Sequence, residues 1–557
     1  MGARLPVRSV ERRGSLAIGW RAAKGGRAMA GAGAGAGDKT IIGGGPRAEP
    51  PGAGAGDLTD ALERTSVWDD RMVADAGIPL EDVPLVSVGG GLGSLALVDT
   101  LRIAGVPTDD IRVITDLARP TETYEYLAAN SQIPPGERLR SDAGSVMDNI
   151  WGFPSYAIRE AWEDRSLAQA WRVLTEPALA EYFTPKAGQV YRSVARETAR
   201  IGWERMVRRG YARMVRQREG GGYFVLTTPP AGTSATRRVA FRASYVHLAV
   251  GYPGVKFLDD LQDYRERHED YQRVVNAYEP HEHVYQEALR RPVTVLVRGN
   301  GIVASRVLQR LLDDRERNGA QTTVLHLFRN YVGGPQGTRA TFRRPGGMGF
   351  AYQAFNYPKA AWGGQLRETL AALEGDERGR LIDTMGGTNT APRADWRRQL
   401  ERGLSNGHYR QMVGTVVGVV PSQDRRAVLT QVRQSDGIQS DVAAEFVIDA
   451  TGLEADLSEH RLMGDLLTHA GAGRNPKNRL DVSPDFEVRG TRSGEGRLYA
   501  SGAMTLGGYY AGVDSFLGLQ YAALQIADDL AARGFGRHIG PGRSIAQWWR
   551  WARNVAP

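Results

Sequence analysis

The sequence predicts an α/β fold with two parallel-sheet domains, and three observations carry that prediction. An apolar strand, a glycine-rich turn and an amphipathic helix follow one another twice, at Val86–Ser94 and again at Val293–Ser305. Two more apolar strands end at glycines, Tyr245–Gly251 and Phe446–Gly452. A last strand, glycine and helix run from Arg497 to Gly534.

In the first unit Val86-Ser-Val leads into Gly89-Gly-Gly91-Leu-Gly93-Ser94 and then LALVDTLRIAG. Leu97, Val98, Leu101 and Ala104 fall on one helical face, and Gly105 is placed to end the helix. Ile111–Thr115 reads as the next strand and closes at Asp116. This is the sequence form of a dinucleotide-binding βαβ unit. Gly89 permits the tight turn, and Gly91 lets backbone approach a pyrophosphate. The helix N-terminus offers oriented N–H groups, and Ser94 fills the third small position. Asp116 is placed to accept hydrogen bonds from ribose hydroxyls. The competing reading is a merely tight strand–helix turn.

The second unit is Val293–Val297, Arg298, then Gly299-Asn-Gly301-Ile-Val-Ala-Ser305. Val303, Val307, Leu308 and Leu311 make the apolar stripe of its helix. The next strand, Thr323–Phe328, ends in Arg329 rather than an acid. An arginine there can pair a 2′-phosphate, which points to NADP; otherwise it is an ordinary exposed arginine. In the closing unit Arg497–Ala500 leads to Ser501-Gly502 and a helix lined by Leu517, Tyr521, Leu524 and Leu530. Asp514 and Ser515 are natural caps for that helix.

Composition narrows the function. The 557 residues include 69 glycines and no cysteine. That excludes disulfides, iron–sulfur clusters, thiolate metal sites and a Cys nucleophile, so redox chemistry needs a bound cofactor. A reducing compartment, the cytoplasm, is expected. Residues 1–28 hold seven Lys/Arg and one acid, leaving only +2 of the formal +8 for the remainder. A polyanion-binding surface is unsupported, so no nucleic-acid partner is expected. No apolar run reaches the ~18–20 residues of a membrane helix, and no membrane contact is expected.

The order of these parts resembles the flavoproteins with two dinucleotide-binding domains. These include the thioredoxin-reductase-like enzymes, the class B flavin monooxygenases and the lysine/ornithine N-hydroxylases. The resemblance spans roughly residues 84–535. It implies two Rossmann-like domains, with FAD on the first glycine turn and NADPH on the second. Gly89, Gly91, Gly93, Ser94 and Asp116 fall at the ADP half of FAD, Gly502 near the flavin, and Gly299, Gly301, Ser305 and Arg329 at NADPH. The expected layout is a disordered Gly/Ala-rich tail over 1–66 and the first part of the FAD domain over 67–285. The NADPH domain with a helical insertion covers 286–455, and the FAD domain's return with a C-terminal helix covers 456–557.

Three departures bear on the chemistry. Without cysteine the thiol-reducing branch is closed. The monooxygenase linker F-x-G-x-x-x-H is absent. Ala503 follows Gly502 where an Asp is usual, and Asp514 is the candidate to replace it. The resemblance implies an NADPH-dependent FAD monooxygenase that oxidises a small molecule with O2 through a flavin C4a-(hydro)peroxide. A dehydrogenase or reductase without oxygen insertion and a non-catalytic nucleotide-binding regulator stay open, as does a homo-oligomer.

Weaker signals complete the reading. Asn149 and Trp151, in an aromatic loop at 148–156, either shape the flavin pocket or pack between domains. Residues 385–393 read as an anion or substrate loop, or as a surface turn. His281-Glu-His283 does not complete metal-ligand spacing, and no metal is expected. Arg196–Arg218 reads as an amphipathic helix with a solvated cationic face rather than a membrane or nucleic-acid contact, and Gln547–Trp551 as a docked tail rather than a platform for bases.

Overall fold

A computed structural model describes residues 57–139, 155–169, 171, 183–229, 238–329, 365–385 and 394–557. Along the chain come β1 (Leu85–Val88), α1 (Leu92–Ile103), β2 (Ile111–Thr115), β3 (Val207–Arg209) and β4 (Tyr245–Leu248). These are followed by β5 (Val274–Asn276), β6 (Val293–Arg298), α2 (Ile302–Asn318), β7 (Thr322–Phe328) and β8 (Tyr409–Val413). The series closes with β9 (Phe446–Asp449), β10 (Arg497–Ala500), α3 (Phe516–Ala532) and α4 (Pro541–Ala552).

Two five-stranded parallel sheets organise the molecule, in the orders β10-β4-β1-β2-β3 and β5-β9-β6-β7-β8. All four residues of β1, β9 and β10 are buried, as strands covered on both faces must be. This is why they read as continuous apolar runs. The fold is α/β, with a mixed five-stranded sheet and a three-stranded antiparallel sheet added.

The helix faces match the spacing. Leu97, Val98, Leu101 and Ala104 are buried, and Gly105 ends α1 in the left-handed region at φ +90. On α2 the stripe Val303, Val307, Leu308 and Leu311 is buried. Burying each such side chain contributes about 1.5–3 kcal/mol. Ser515 caps α3, its hydroxyl accepting from the Gly518 amide at 3.1 Å.

Two expectations need correction. The second sheet starts before residue 286: β5 pairs residue for residue with β9, from Val274↔Val447 to Asn276↔Asp449. The crossover between sheets therefore lies between β4 and β5. The stretch 196–218 is not one helix. Its helix, Ala187–Ile201, stops at Gly202 (φ +74), and the chain continues as β3 and a further strand, Tyr211–Arg218. Nor are its cations all solvated. Arg216 is fully buried, forked onto Asp465 at 2.5 and 3.0 Å, and Arg200 lies buried with Glu197 and Asp99. Buried charges need such partners. Of the tail expected over 1–66, residues 1–56 fall outside the described residues, while Asp60–Arg64 form a helix that buries Leu62. Of the loop expected over 385–393, only Met385, the end of a helix, is described.

Candidate functional site

The first glycine turn gives each glycine a separate task. Gly89 has φ +121, and a Cβ there would stand 2.3 Å from the Ala249 carbonyl oxygen. Gly93 faces Ala249 Cβ at 3.1 Å and Leu519 of α3 at 3.5 Å, so its small size sets helix–helix and helix–strand approach. At Gly91 the nearest atom to a Cβ is the Pro120 carbonyl oxygen at 4.0 Å. That side is open. No side chain caps α1 at Gly91, so its first N–H groups face the opening unspent.

The turn opens into a cavity of about 340 Å³. Gly89, Gly91, Gly93 and Asp116 line one part, and Ser501, Gly502, Asp514 and Phe516 another. Six residues expected at the first nucleotide thus meet in one space. Ser94 lies beneath it, fully buried, its hydroxyl accepting from the Gly90 amide at 3.0 Å.

The second turn repeats the first. Gly299 also has φ +121, and its Cβ would stand 2.5 Å from the Ala450 carbonyl oxygen. Helix α2 likewise starts at Gly301 without a side-chain cap. Gly301 lines a second cavity of about 340 Å³, together with Thr451, Gly452 and Gly512. The two cavities share Tyr252, Tyr278, Ile302, Val303, Leu453 and Asp514. Ser305 is buried and donates to the Ile302 carbonyl at 2.7 Å, so it packs the turn from below. Arg329 is exposed immediately beyond β7. Asn149 and Trp151 lie outside the described residues.

Asp514 sits where the cavities adjoin, not along the first turn, and accepts from the Tyr252 hydroxyl at 2.7 Å. Burial, reinforced by this carboxylate, pushes the Tyr252 phenol well above its usual range, so it stays protonated.

Sequence reasoning missed the polar groups that brace the turns. The Thr115 hydroxyl donates to the Gly89 carbonyl at 3.0 Å, and His326 Nε2 lies 2.7 Å from the Gly299 carbonyl. Beneath the first turn runs a buried chain: Ser94, then Ser87 at 3.0 Å, then His247 Nδ1 at 3.0 Å, whose Nε2 lies 2.9 Å from the Ser501 hydroxyl. It ties the first glycine turn to the one before Gly502. For Ser87 and His247 the signal was a lone polar residue inside an otherwise apolar strand.

Burial holds these rings neutral. His247 is pushed down to about 3, and His281, His326 and His460 to about 4, each chiefly by loss of hydration. Unfolded histidines take up protons below about 6.5 that the folded rings refuse. The stability they contribute is therefore complete above that value and lost as pH falls toward 4 and 3. We expect the urea midpoint to drop between about pH 7 and pH 5, with a shallower drop in His247→Asn. Identical slopes for parent and variant would refute this account. His281 and His283 spend ring nitrogens on Glu279 O, Tyr285 and Gln272 O. Among the described residues no group of three or more His, Cys, Asp or Glu is placed to hold a metal.

No family model matches the chain, and no curated protein does. Solved structures do. The ornithine hydroxylase from Pseudomonas aeruginosa superposes with a TM-score of 0.55 at 14% identity, covering 81% of this chain and 99% of that one. The Kutzneria sp. 744 ornithine N-hydroxylase, in a structure with reduced FAD, NADP+ and L-ornithine, gives 0.55 at 14%, covering 82% and 100%. The FAD-bound cadaverine monooxygenase of desferrioxamine biosynthesis from Erwinia amylovora gives 0.57 at 12%, covering 82% and 96%. The chain has the fold of the flavoproteins with two dinucleotide-binding domains.

Proposed function

We propose that the protein is an NADPH-dependent FAD monooxygenase acting on a small molecule. One observation carries this reading. Two glycine turns, each heading a helix with an uncapped N-terminus, open onto adjoining cavities that share six residues. A nucleotide on each turn would bring its ring end toward that shared wall. The solved structures of like fold that hold FAD, or reduced FAD with NADP+ and L-ornithine, support the same cofactor pair.

The chain's own groups divide the work. Gly89 and Gly91 shape the cradle for the FAD pyrophosphate, the α1 N-terminus supplies N–H donors, and Asp116 takes the ribose. Gly502 stands near the flavin end, and Gly299, Gly301 and Arg329 hold NADPH. Tyr252 and Asp514 are placed where substrate and both rings would converge. Bound flavin, once reduced by NADPH, would supply the oxidising chemistry with O2, while the protein positions the reactants and excludes water.

The purified protein should carry non-covalent FAD, visible in its absorption spectrum, and should oxidise NADPH. Stopped-flow mixing of the anaerobically reduced enzyme with oxygenated buffer should reveal a transient flavin–oxygen adduct. Smooth reoxidation without one would make the protein a dehydrogenase or reductase. No flavin and no NADPH turnover would leave a regulator.

A further inference from the structure

Helix α4 leaves part of its apolar surface uncovered, although Trp548 and Trp551 are half-buried. Gln547, on the face turned to the protein, is 8% exposed, whereas Ile545 is 62% and Trp549 53% exposed. At about 100° per residue, Ile545, Trp549 and Ala552 form one stripe opposite Gln547. Three contacts fix this orientation. Arg543 Nε donates to the Ile103 carbonyl at 2.7 Å, at the end of α1. The Arg196 guanidinium stands over the Trp551 ring, 4.9 Å from its centre. Arg200 reaches past the helix end to the Val555 carbonyl at 3.2 Å. Rolling the apolar stripe inward would break all three.

The charge around the stripe selects what covers it. From Gly534 to Pro557 the chain has four arginines and no Asp or Glu. Arg550 and Arg553 are exposed, and Arg553 lies 5.7 Å from the centre of the Trp549 ring. A second copy meeting this face about a two-fold axis would set like charges against each other. An anionic surface would satisfy both the cations and the apolar stripe. We propose that this face docks the protein on an anionic lipid surface, with α4 lying in the headgroup plane. Tryptophan and arginine are the side chains that such an interface favours. No helix among the described residues is long and apolar enough to cross a membrane, so the contact is peripheral. The sequence expectation of no membrane contact rested on the lack of an apolar run long enough to span a bilayer, which does not address a helix lying in the headgroup plane.

Co-sedimentation with vesicles tests this, using the full-length protein. Vesicles of phosphatidylcholine with added phosphatidylglycerol should bind it, those of phosphatidylcholine alone should bind it at least about tenfold less, and salt should weaken the contact. Ile545→Ser with Trp549→Ser should reduce binding about tenfold. Arg550→Gln with Arg553→Gln should do so roughly 20-fold. NADPH oxidation in solution should be unchanged in both. Equal binding to both vesicle types, or to neither, overturns the proposal. So does self-association of the parent that Trp549→Ser removes, which would assign the face to a second copy. Tighter binding to duplex DNA than to vesicles, lost in the same variants, would assign it to nucleic acid instead.

Discussion

Gly91→Leu should yield a folded, colourless protein. The backbone at Gly91 has φ −80, which any residue adopts, and a Cβ there meets only one atom, at 4.0 Å. The protein itself leaves room for the side chain, so the cost to folding should stay near the ~1 kcal/mol of a poorer N-cap. A bound pyrophosphate leaves no such room. Leucine would hold it away from the N–H groups of α1, and losing two hydrogen bonds to a charged group costs about 3–6 kcal/mol. FAD affinity should fall about 10²- to 10⁴-fold. Gly89→Leu is the contrasting control: its Cβ would lie 2.3 Å from Ala249 O at φ +121, so that variant should not fold. Titration of apo-protein with FAD, alongside far-UV circular dichroism, separates the two outcomes. A Gly91→Leu protein that holds FAD as the parent does would remove the first turn from the cofactor site.

The contrast between these glycines explains what the sequence made legible. The central strands of both parallel sheets were readable because burial on both faces demands uninterrupted apolar runs, and Ile111–Thr115 and Arg497–Ala500 fall where expected, whereas the more exposed β3 and β8 gave no such run. The glycine turns were readable because positive φ and close approach leave few alternatives. What stayed hidden depends on pairing across the chain. Ser87 and His247 are 160 residues apart, and His247 and Ser501 are 254 apart; only strand order puts them side by side. The strand Tyr211–Arg218 was hidden differently. Its arginines suggest a solvated face, yet Arg216 is buried because Asp465, far along the sequence, is there to receive it. Val274–Asn276 is too short to announce its sheet. Asp514 was readable as a polar group near the last helix, but its place between two cavities was not.

Arg329→Ala should weaken NADPH about 10- to 100-fold while leaving NADH nearly unchanged. Strand register carries the argument. In the first sheet the last pair is Val88 with Ile114, and Asp116 comes two residues after Ile114. In the second the last pair is Arg298 with Leu327, and Arg329 comes two residues after Leu327. Counted from the last pair, which in each sheet directly precedes the Gly-x-Gly turn, Asp116 and Arg329 occupy equivalent positions. An acid there suits a ribose hydroxyl, and a guanidinium suits a 2′-phosphate. The charge-assisted contact contributes about 1.5–3 kcal/mol, less where solvent screens it. Arg306, at the start of α2, does not share the load: it is buried, bonded to the Gln132 carbonyl and 3.5 Å from Glu137. Arg339, Arg343 and Arg344 lie outside the described residues. Dissociation constants for NADPH and NADH, measured on parent and variant at two salt concentrations, decide the matter. Added salt should shrink the parent's preference for NADPH and barely affect the variant. Equal losses for both cofactors, or a parent that already prefers NADH, would take the 2′-phosphate away from Arg329.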